Sequence, residues 1–397
     1  IEWLIYFKFE LIMKKTYLIY SLVLLNVSLA CSQKENYPPI EDFNKDLFSL
    51  EKIVDGIDIP WGMSFTSNNS FLVTDKKGIL YHVSDGKKSI VEGTPEVIVT
   101  RQGGLLDVAV DSDFKNNNKI YITASVSSSD KGSNTALYSA IFSENKLSKL
   151  KMLYKASPDS TEERHFGGSI LVTEEYLFFT IGDRGNRDIN PQNVSLDGGK
   201  IYRLNLDGSI PTSNPFYNVD SSKKAIWSYG HRNPQGIIKV TRNVGLNDYE
   251  IWIHEHGPRG GDEINIIKYP KKDEDPLKDR NYGWPKATYG INYSGSEITK
   301  NKKLEGVVDP FYYWIPSIAP SGMAIVNSDK YPNWNESLLV GSLSFRYLER
   351  LEFDENGITK REKLFPRIGR VRDVNISPDG FVVISVEGEG IFKVVPN

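Results

Sequence analysis

Cysteine is almost absent from this chain of 397 residues, in which Cys31 stands alone. A single cysteine excludes disulfide bonds within the chain and any cysteine-rich metal site. A basic excess is also missing, because 48 Lys and Arg stand against 51 Asp and Glu, for a net charge of −3. That balance gives no indication of the positively charged footprint of a nucleic-acid-binding protein, so no nucleic-acid partner is expected.

Long apolar runs are missing except near the N-terminus. The run Tyr17–Leu29 follows Lys14-Lys15 and is shorter than the roughly 20 residues that a membrane-spanning helix needs. With the small residues of Ser28-Leu29-Ala30 just ahead of Cys31, this segment is typical of a secretory signal. It resembles the signal of a bacterial lipoprotein, in which the cysteine becomes the lipidated N-terminus.

These features divide the chain into three parts. Residues 1–30 are expected to be an upstream extension ahead of Met13 and a signal peptide, 31–49 a lipidated polar tether, and 50–397 the folded domain. The protein is therefore expected in the cell envelope, secreted and lipid-anchored in the periplasm or outer membrane. An ordinary signal peptide with a free Cys31 nearby is the alternative, because Ser28 stands where lipoprotein signals usually carry leucine.

Helical periodicity is not sustained in residues 50–397, where short runs rich in β-branched and aromatic residues recur instead. Asp-Gly or Asn-Gly pairs, typical of hairpin turns, bound many of these runs. Runs, turns and longer loops repeat at irregular intervals, which favours an all-β propeller of four-stranded blades over a pair of β-sandwiches. The runs are Phe71–Thr74, Gly78–Val83, Lys119–Thr123, Leu177–Ile181, Lys200–Leu204, Glu250–Ile253, Ser337–Val340, Phe381–Ser385 and Ile391–Val395, and the turn pairs begin at Asp85, Asp207, Asn356 and Asp379.

One stretch, Lys268–Gly306, breaks this rhythm and is interpreted as a long insertion over one face. Its charged part, Lys271–Pro276, is expected to be solvated. Its aromatic part, Asn281–Pro285, is expected to wall a pocket.

Two glycine-rich phrases carry a candidate acid–base pair. His165 is followed by Gly167-Gly168, and glycine lets a backbone approach a ligand closely. Asp183 follows a strand-like run in a Gly-Asp-Arg-Gly turn. A neutral imidazole acts as a general base near pH 7 and a carboxylate can hold its tautomer. For each residue taken singly, spacing alone favours a turn-capping His165 and an Asx turn at Asp183.

A second pair, His254 and His256, lies two residues apart and faces one side of an extended segment. It could be a zinc pair without an evident third ligand. The turn that follows, Gly257–Glu263, contains proline and glycine and exposes backbone carbonyls, which suit a hard cation such as calcium. A plain surface turn remains open on spacing alone.

Arginines complete the candidates. Arg232 lies in a His-Arg-Asn-Pro phrase, and Arg370 and Arg372 are two residues apart. Two neighbouring guanidinium groups repel unless an anion lies between them, so a carboxylate or phosphate ligand is expected. The alternative is pairing with protein acids such as Asp373 or Glu362.

Taken in order, the phrases resemble the soluble PQQ-dependent sugar dehydrogenases, the glucose/sorbosone or aldose sugar dehydrogenase family. The resemblance runs from about Ile59 to the C-terminus. It rests on Ile59–Met63, Gln102–Asp107, Arg164–Gly168, Ile181–Gly185, Gly199–Ile201, Gly230–Gly236, His256–Glu263, Asn281–Pro285, Ile318–Gly322 and Arg370–Val374.

This resemblance implies a six-bladed propeller with PQQ and calcium bound at its mouth, and an aldose oxidised to its lactone. His165 would take the anomeric proton, Asp183 would orient His165, and Arg232 would face the developing negative charge. The carbonyls of Gly257 and Pro258 would bind calcium. The residues that would hold PQQ are Gln102, Asn233, Ser317, Arg346, Arg370 and Arg372.

Three positions depart from the family pattern. Ser344 stands where many members have lysine, and Arg346 is the expected replacement for that charge. Ile315 stands where glucose-oxidising members have an aromatic residue, and His256 also differs from them. The resemblance therefore leaves open how tightly the cofactor is bound and which sugar is the substrate.

Two other functions compete with the dehydrogenase. A calcium-dependent propeller lactonase would hold its metal with carboxylates such as Asp262, Glu263 and Asp183. A non-catalytic ligand-binding propeller would not need His165, Asp183 and Arg232 together. The sugar, the electron acceptor and the oligomeric state are not given by the sequence.

Overall fold

The computed structural model describes residues 38–128, 131–241, 249–269 and 274–397. The compact unit Ile40–Asn397 contains the strands, which form six sheets of four or five strands each. The expected signal segment and Cys31 lie outside the described residues. None of the helices in the described ranges has the length and apolar character that crossing a membrane requires.

The six sheets follow one another along the chain and are called blades 1 to 6. Blade 1 contains β3 (Pro60–Ser67), β4 (Ser70–Asp75), β5 (Ile79–Ser84) and β6 (Lys87–Val91). Blade 2 contains β7 (Leu105–Val110), β8 (Lys119–Val126), β9 (Asn134–Ser143) and β10 (Lys146–Lys155). Blade 3 contains β11 (Ile170–Val172), β12 (Tyr176–Ile181), β13 (Lys200–Asn205) and β14 (Ile226–Tyr229).

The other three blades complete the ring. Blade 4 contains β15 (Pro234–Val240), β16 (Glu250–Glu255), β17 (Asp262–Ile267) and β18 (Tyr312–Trp314). Blade 5 contains β19 (Pro320–Ile325), β20 (Leu338–Ser342), β21 (Tyr347–Asp354), β22 (Gly357–Leu364) and β1 (Ile40–Asp42). Blade 6 contains β23 (Val371–Ile376), β24 (Val382–Val386), β25 (Gly390–Pro396) and β2 (Phe48–Val54). The predicted six-bladed β-propeller is confirmed.

Helix is confined to single turns in the described residues. They are α1 (Phe114–Asn117) and two 3₁₀ turns, Lys45–Leu47 and Pro332–Trp334. The absence of sustained helical periodicity in the sequence agrees with this.

The chain ends close the ring. Strand β2 pairs antiparallel with β25, and β1 pairs parallel with β22. The folded unit therefore begins at Ile40 rather than at residue 50, so the second half of the expected tether belongs to blades 5 and 6. The segment is polar because it forms outer strands, whose side chains are largely exposed, so its composition resembles that of a linker.

The core lies between the blades. In β24 all five residues are buried, because each inner strand is covered on both faces by neighbouring sheets. Leu72 and Leu80 of blade 1 pack on Ile120 and Ile122 of blade 2. Similar apolar clusters join the other neighbouring blades that the described residues cover, such as Val374 with Leu339.

Two carboxylates fasten neighbouring blades at the central channel. Asp107 Oδ2 accepts from the backbone N of Ile170 in the next blade at 2.8 Å. Asp373 Oδ2 accepts from Met63 N at 2.8 Å, which joins blade 6 to blade 1. Each carboxylate also accepts from the N–H of the residue that follows it in the chain.

Antiparallel order decides which loops share a face. The loops between second and third strands, and those that lead to the next blade, emerge on one face, called the mouth. The other connections emerge opposite. The hairpins at Asp85, Asp207, Asn356 and Asp379 follow first or third strands and lie on the opposite face, whereas the candidate site loops emerge at the mouth.

The insertion between β17 and β18 starts on the face opposite the mouth and runs along the outer edge of the ring toward the mouth. Asn281 forms a parallel bridge with Tyr229 of β14, and Ile291 bridges Arg259 beside the mouth. The chain then returns, because Phe311 N donates to Ile264 O at 2.8 Å. The predicted long insertion is present, while part of its charged run, Lys271–Pro276, lies outside the described residues.

Candidate active site

His165 and Asp183 meet at the mouth. His165 lies between β10 and β11, and Asp183 lies between β12 and β13. The Nδ1 atom of His165 lies 2.7 Å from Asp183 Oδ1. The Asp183 side chain is 1 % exposed and that of His165 12 %, so the carboxylate is enclosed while the imidazole faces the opening.

The carboxylate has further donors. Asp183 Oδ1 accepts from Gly185 N at 2.7 Å, and Oδ2 accepts from Trp284 Nε1 at 2.8 Å. Burial acts to raise the pKa of Asp183, but the His165 contact, Arg232 and Trp284 outweigh it and lower the pKa. An ionised carboxylate only accepts hydrogen bonds, so the proton of a neutral His165 sits on Nδ1 and Nε2 keeps a free lone pair.

The imidazole is held neutral. Burial lowers the pKa of His165 below its ordinary value of 6.5, and Arg232 adds to this effect against the opposing pull of Asp183. A neutral imidazole with a free Nε2 is the form that accepts a proton.

Arg232 joins the pair from the loop between β14 and β15. Its Nη1 donates to His256 O at 2.9 Å and to Gly257 O at 2.7 Å, and its side chain lies over the Trp284 ring. Within the described residues this guanidinium has carbonyl partners and no carboxylate partner. The group is buried, and because a buried charge without an acid partner is costly, an anion bound beside it would be stabilised.

The backbone of Arg232 is fixed from below. Glu255, the last residue of β16, accepts from Arg232 N at 2.5 Å and lies 2.9 Å from His231 Nδ1. Ser228 Oγ lies 2.9 Å from the other nitrogen of His231. The His231 imidazole therefore packs and bonds inside the blade instead of facing the mouth.

Gln102 and Asn233 reach the same place. Gln102 Oε1 accepts from the backbone N of His165 at 2.7 Å. Asn233 Oδ1 accepts from Gly167 N at 3.2 Å. Both predicted cofactor residues therefore lie beside His165, and their amide groups support its loop.

The Gly257–Asp262 turn is tightly packed. A Cβ on Gly257 would lie 2.3 Å from the carbonyl oxygens of Gly260 and Gly261, so only glycine fits there. Asp262 Oδ1 accepts from Gly257 N at 2.7 Å, and its Oδ2 accepts from the Ser317 hydroxyl at 2.7 Å. Ser317, predicted to hold the cofactor, therefore bonds Asp262, whose pKa burial raises to about 6.

The second histidine pair lies below the mouth. His256 Nε2 lies 2.7 Å from Pro320 O, and His254 is fully buried in β16. Burial lowers the pKa of both imidazoles to about 3, so both are neutral. The described residues contain no group of three His, Cys, Asp or Glu placed to hold a metal ion, which removes the support for a zinc pair.

Arg370 and Arg372 share one carboxylate. Arg370 Nε donates to Glu387 Oε2 at 2.9 Å, and Arg372 Nε donates to the same oxygen at 2.8 Å. The protein anion between them is thus Glu387, in the loop after β24, and neither Asp373 nor Glu362. Two cations against one acid leave a net positive charge at this side of the mouth.

Arg346 lies exposed in the loop between β20 and β21, with φ of 58°. The same loop is tied to the mouth, because Ser344 N donates to Ile318 O at 3.0 Å and Arg370 donates to Leu343 O at 3.2 Å. Ile315, 55 % exposed, packs over Gly260 beside the Gly257 turn.

A family model described as glucose/sorbosone dehydrogenase matches residues 57–393. The chain belongs to this family. The chain is similar to the aldose sugar dehydrogenase YliI of Escherichia coli, with 36 % identity over 361 residues that cover 88 % of this chain and 93 % of that protein. The quinoprotein glucose dehydrogenase B of Acinetobacter calcoaceticus is 28 % identical over 422 residues and covers 85 % of this chain and 84 % of its own.

Solved structures agree with the family assignment. The soluble aldose sugar dehydrogenase of Escherichia coli, in its apo form, superimposes with a TM-score of 0.80 at 34 % identity, with 88 % of this chain and all of that chain covered (100 %). The PQQ-bound aldose sugar dehydrogenase of Streptomyces coelicolor, at 23 % identity and a TM-score of 0.68, covers 91 % of this chain and 100 % of its own and shows the same fold.

Sequence reasoning missed several contacts of this glucose/sorbosone dehydrogenase site. The sequence predicts that Trp284 lines a pocket. It does not predict the hydrogen bond from Trp284 Nε1 to Asp183, because that bond depends on the path of the insertion. The contacts of Glu255 with His231 and Arg232 were also missed. Glu255 stands between His254 and His256 in the sequence, and its side chain points away from theirs because side chains alternate along an extended segment. Glu387 has no sequence pattern that links it to Arg370 and Arg372.

Proposed function

We propose that the chain is a quinoprotein aldose sugar dehydrogenase, which oxidises an aldose at the anomeric carbon to the lactone with PQQ and calcium. The observation that carries the proposal is the convergence of His165, Asp183 and Arg232 from three loops on one mouth. The family of sugar dehydrogenases to which the chain belongs supports the reaction type.

His165 acts as the general base. Its Nε2 lone pair takes the proton of the anomeric hydroxyl as the C–H hydrogen of the sugar leaves as hydride. Asp183 holds the ring in the required tautomer and stabilises the imidazolium that forms. Trp284 and Gly185 keep the Asp183 carboxylate in place for this task.

Arg232 supplies fixed positive charge. It approaches the mouth with its guanidinium already oriented by the His256 and Gly257 carbonyls. A preoriented cation stabilises negative charge that develops on a neighbouring oxygen, and loss of one such donor typically costs about 3 to 4 kcal/mol of transition-state stabilisation.

The residues present fit PQQ. PQQ, when bound, supplies the ortho-quinone that accepts a hydride, and it carries three carboxylates. Arg370 and Arg372 outnumber their shared Glu387, and Arg232 lacks a carboxylate partner among the described residues. Asn233 and Gln102 lie beside His165, and the exposed Arg346 belongs to another loop of the mouth face. These groups would hold an anionic cofactor.

The Gly257–Pro258 turn fits a calcium ion. Backbone carbonyl oxygens are ligands that calcium accepts. Gly257 O accepts one hydrogen bond from Arg232 at 2.7 Å and retains a second lone pair for a cation. Gly257 and Pro258 would thus bind the ion through main-chain oxygens, with Asp262 as their support.

The lactonase alternative finds less support in the geometry. It requires carboxylate oxygens that are free for a metal. Asp262 accepts from Gly257 N, Ser317 and Ala319 N, and Asp183 accepts from His165, Gly185 and Trp284. Both carboxylates therefore serve the protein's own groups.

The lipid anchor, a position in the cell envelope and transfer of electrons to an acceptor outside the site remain part of the proposal. They rest on the Cys31 segment, which lies outside the described residues, and on the chemistry of a reoxidised quinone.

Calorimetric titration of PQQ into the calcium-loaded protein tests the cofactor assignment, and dye reduction with a panel of aldoses tests the reaction. We expect binding, aldose-dependent dye reduction and loss of that activity in His165→Ala. His82→Ala is the matched control, since His82 bonds Ser70 and Asn145 away from the mouth. Lactone hydrolysis without PQQ would support the lactonase, and absence of both activities with intact folding would support a binding protein.

A further inference from the structure

His165 adopts an unusual backbone conformation. Its φ is 57°, in the left-handed region that a side chain with a Cβ rarely occupies. Such a conformation persists where surrounding contacts impose it, and it is common at functional sites.

The peptide unit between Arg164 and His165 is gripped at both of its polar ends. Its carbonyl, Arg164 O, accepts from Nη1 of Arg184. Its N–H, on His165, donates to Gln102 Oε1 at 2.7 Å. With both ends fixed, this peptide cannot rotate, and rotation is what would change φ of His165.

The next carbonyl is fixed by packing. A Cβ on Gly182 would lie 2.3 Å from His165 O, so the backbone of Gly182, just before Asp183, packs closely against the His165 carbonyl. The two ends of the His165 residue are therefore both held by the segment that carries Asp183 and Arg184.

Arg184 is suited to this task by its burial and its partners. Its side chain is fully buried and lies 3.4 Å from the Phe166 ring centroid. Its Nη2 donates to Glu162 O at 2.7 Å and to Ser133 O at 3.3 Å. Burial lowers the pKa of Arg184 to about 10, so the guanidinium is charged near pH 7.

We infer that Arg184 is a positioning residue for His165, which clamps residues 162–166 from beneath while the adjacent Asp183 orients the imidazole ring. The inference rests on the proposed function for the reaction itself. The structural part concerns only the chain: consecutive residues 183 and 184 hold the side chain and the backbone of one histidine.

A matched pair of substitutions tests this. Arg184→Lys keeps the charge, but a single ammonium cannot reproduce a planar fork that contacts three carbonyls and stacks on Phe166. Arg203→Lys is the control, because Arg203 is a buried arginine of the same blade, 4.1 Å from the Trp227 ring, and its Nε donates to Asn214 at 2.7 Å. Both substitutions disturb the packing of blade 3, and only the first touches the His165 loop.

The first readout needs no cofactor. Nitrogen-15 spectra of the histidines in the apo protein report the tautomer of His165 across pH. We expect a single Nδ1–H tautomer in the unsubstituted protein and in Arg203→Lys, and a mixture of tautomers with a pKa closer to 6.5 in Arg184→Lys. In the reconstituted enzyme, kcat of Arg184→Lys should fall about 100-fold, as for a misplaced catalytic group, with little change in the KM for sugar.

Unchanged His165 spectra in folded Arg184→Lys would overturn the inference, whatever the activity. If that variant does not fold, Arg184→Gln keeps a planar donor group but cannot reach all three carbonyls, and unchanged His165 spectra in it would again overturn the inference. The spectra of the apo protein test the inference even if the proposed function is wrong. A wrong function would show itself separately, because the unsubstituted protein would have no PQQ-dependent activity.

Discussion

At the scale of single residues, the Asp183 carboxylate has three hydrogen-bond donors, and an amide cannot serve them all. In Asp183→Asn, the NH₂ group faces either His165 Nδ1 or the Trp284 N–H. The first arrangement places the imidazole proton on Nε2, and the second leaves two donors opposed. We expect kcat to fall by about 100- to 10,000-fold, the range typical of lost general-base catalysis, and single-turnover kinetics measure it. A loss below tenfold would contradict the orienting role.

The pH profile of kcat/KM belongs to the same scale. Neutral His165 is the active form, and burial together with Arg232 and Arg164 holds its pKa below 6.5. Activity should therefore persist down to 6.5 and decline only as the pH falls through that lower pKa. Removal of the exposed positive charge in Arg164→Ala should move the acid limb to higher pH. An acid limb above 6.5 in the unsubstituted enzyme would show that the pull of Asp183 dominates.

The sequence predicts these residues because they lie in short glycine-rich phrases. His165, Asp183 and Arg232 each lie within two residues of a glycine or proline, which permits tight turns at strand ends. Their partners are less predictable. Glu387 lies 15 residues after Arg372, beyond the hairpin of β23 and β24. Arg372 binds Glu387 and not the adjacent Asp373 because neighbouring side chains of a strand point to opposite sides.

At the scale of elements, the insertion between β17 and β18 matters because it brings Trp284 to the site. Trp284→Phe keeps a ring beside Arg232 and removes the indole N–H. We expect kcat to fall by about tenfold or more, since hydrogen bonds to charged groups contribute about 1.5 to 3 kcal/mol.

Trp227→Phe is the control for this prediction. The Trp227 indole is buried in blade 3, and its N–H has no partner among the described residues. Its removal should lower thermal stability and leave kcat unchanged. Equal kcat losses in both variants would indicate a general effect of lost packing.

Each predicted run lies in or at the edge of a second or third strand of a blade, whereas some apolar strands, such as β7 and β9, were not predicted. The runs such as Lys119–Thr123 and Phe381–Ser385 lie within strands β8 and β24 or at their edges. Strand β10 was not predicted, because Lys146–Lys155 is an outer strand with mostly exposed side chains and several lysines. Outer strands bury little surface, so their composition carries little pattern.

At the scale of the whole molecule, Asp373 joins the last blade to the first. Asp373→Ala leaves the N–H groups of Met63 and Val374 without their acceptor. We expect a loss of about 3 kcal/mol of unfolding free energy, as for buried donors left unpaired, measured by urea denaturation. Asp379→Ala removes an exposed turn carboxylate of the same blade and should change stability by less than about 0.5 kcal/mol. Similar values for the two variants would contradict a fastening role for Asp373.

Ring closure through both chain ends also constrains synthesis. Strands β1 and β2 are made first, yet their partners β22 and β25 end at Leu364 and Pro396. During translation these two strands have no sheet to join until β22 and β25 have been made. Blades 1 to 4 can assemble beforehand as an open arc. The opening that carries His165 therefore acquires its final circumference only after β25 has paired with β2.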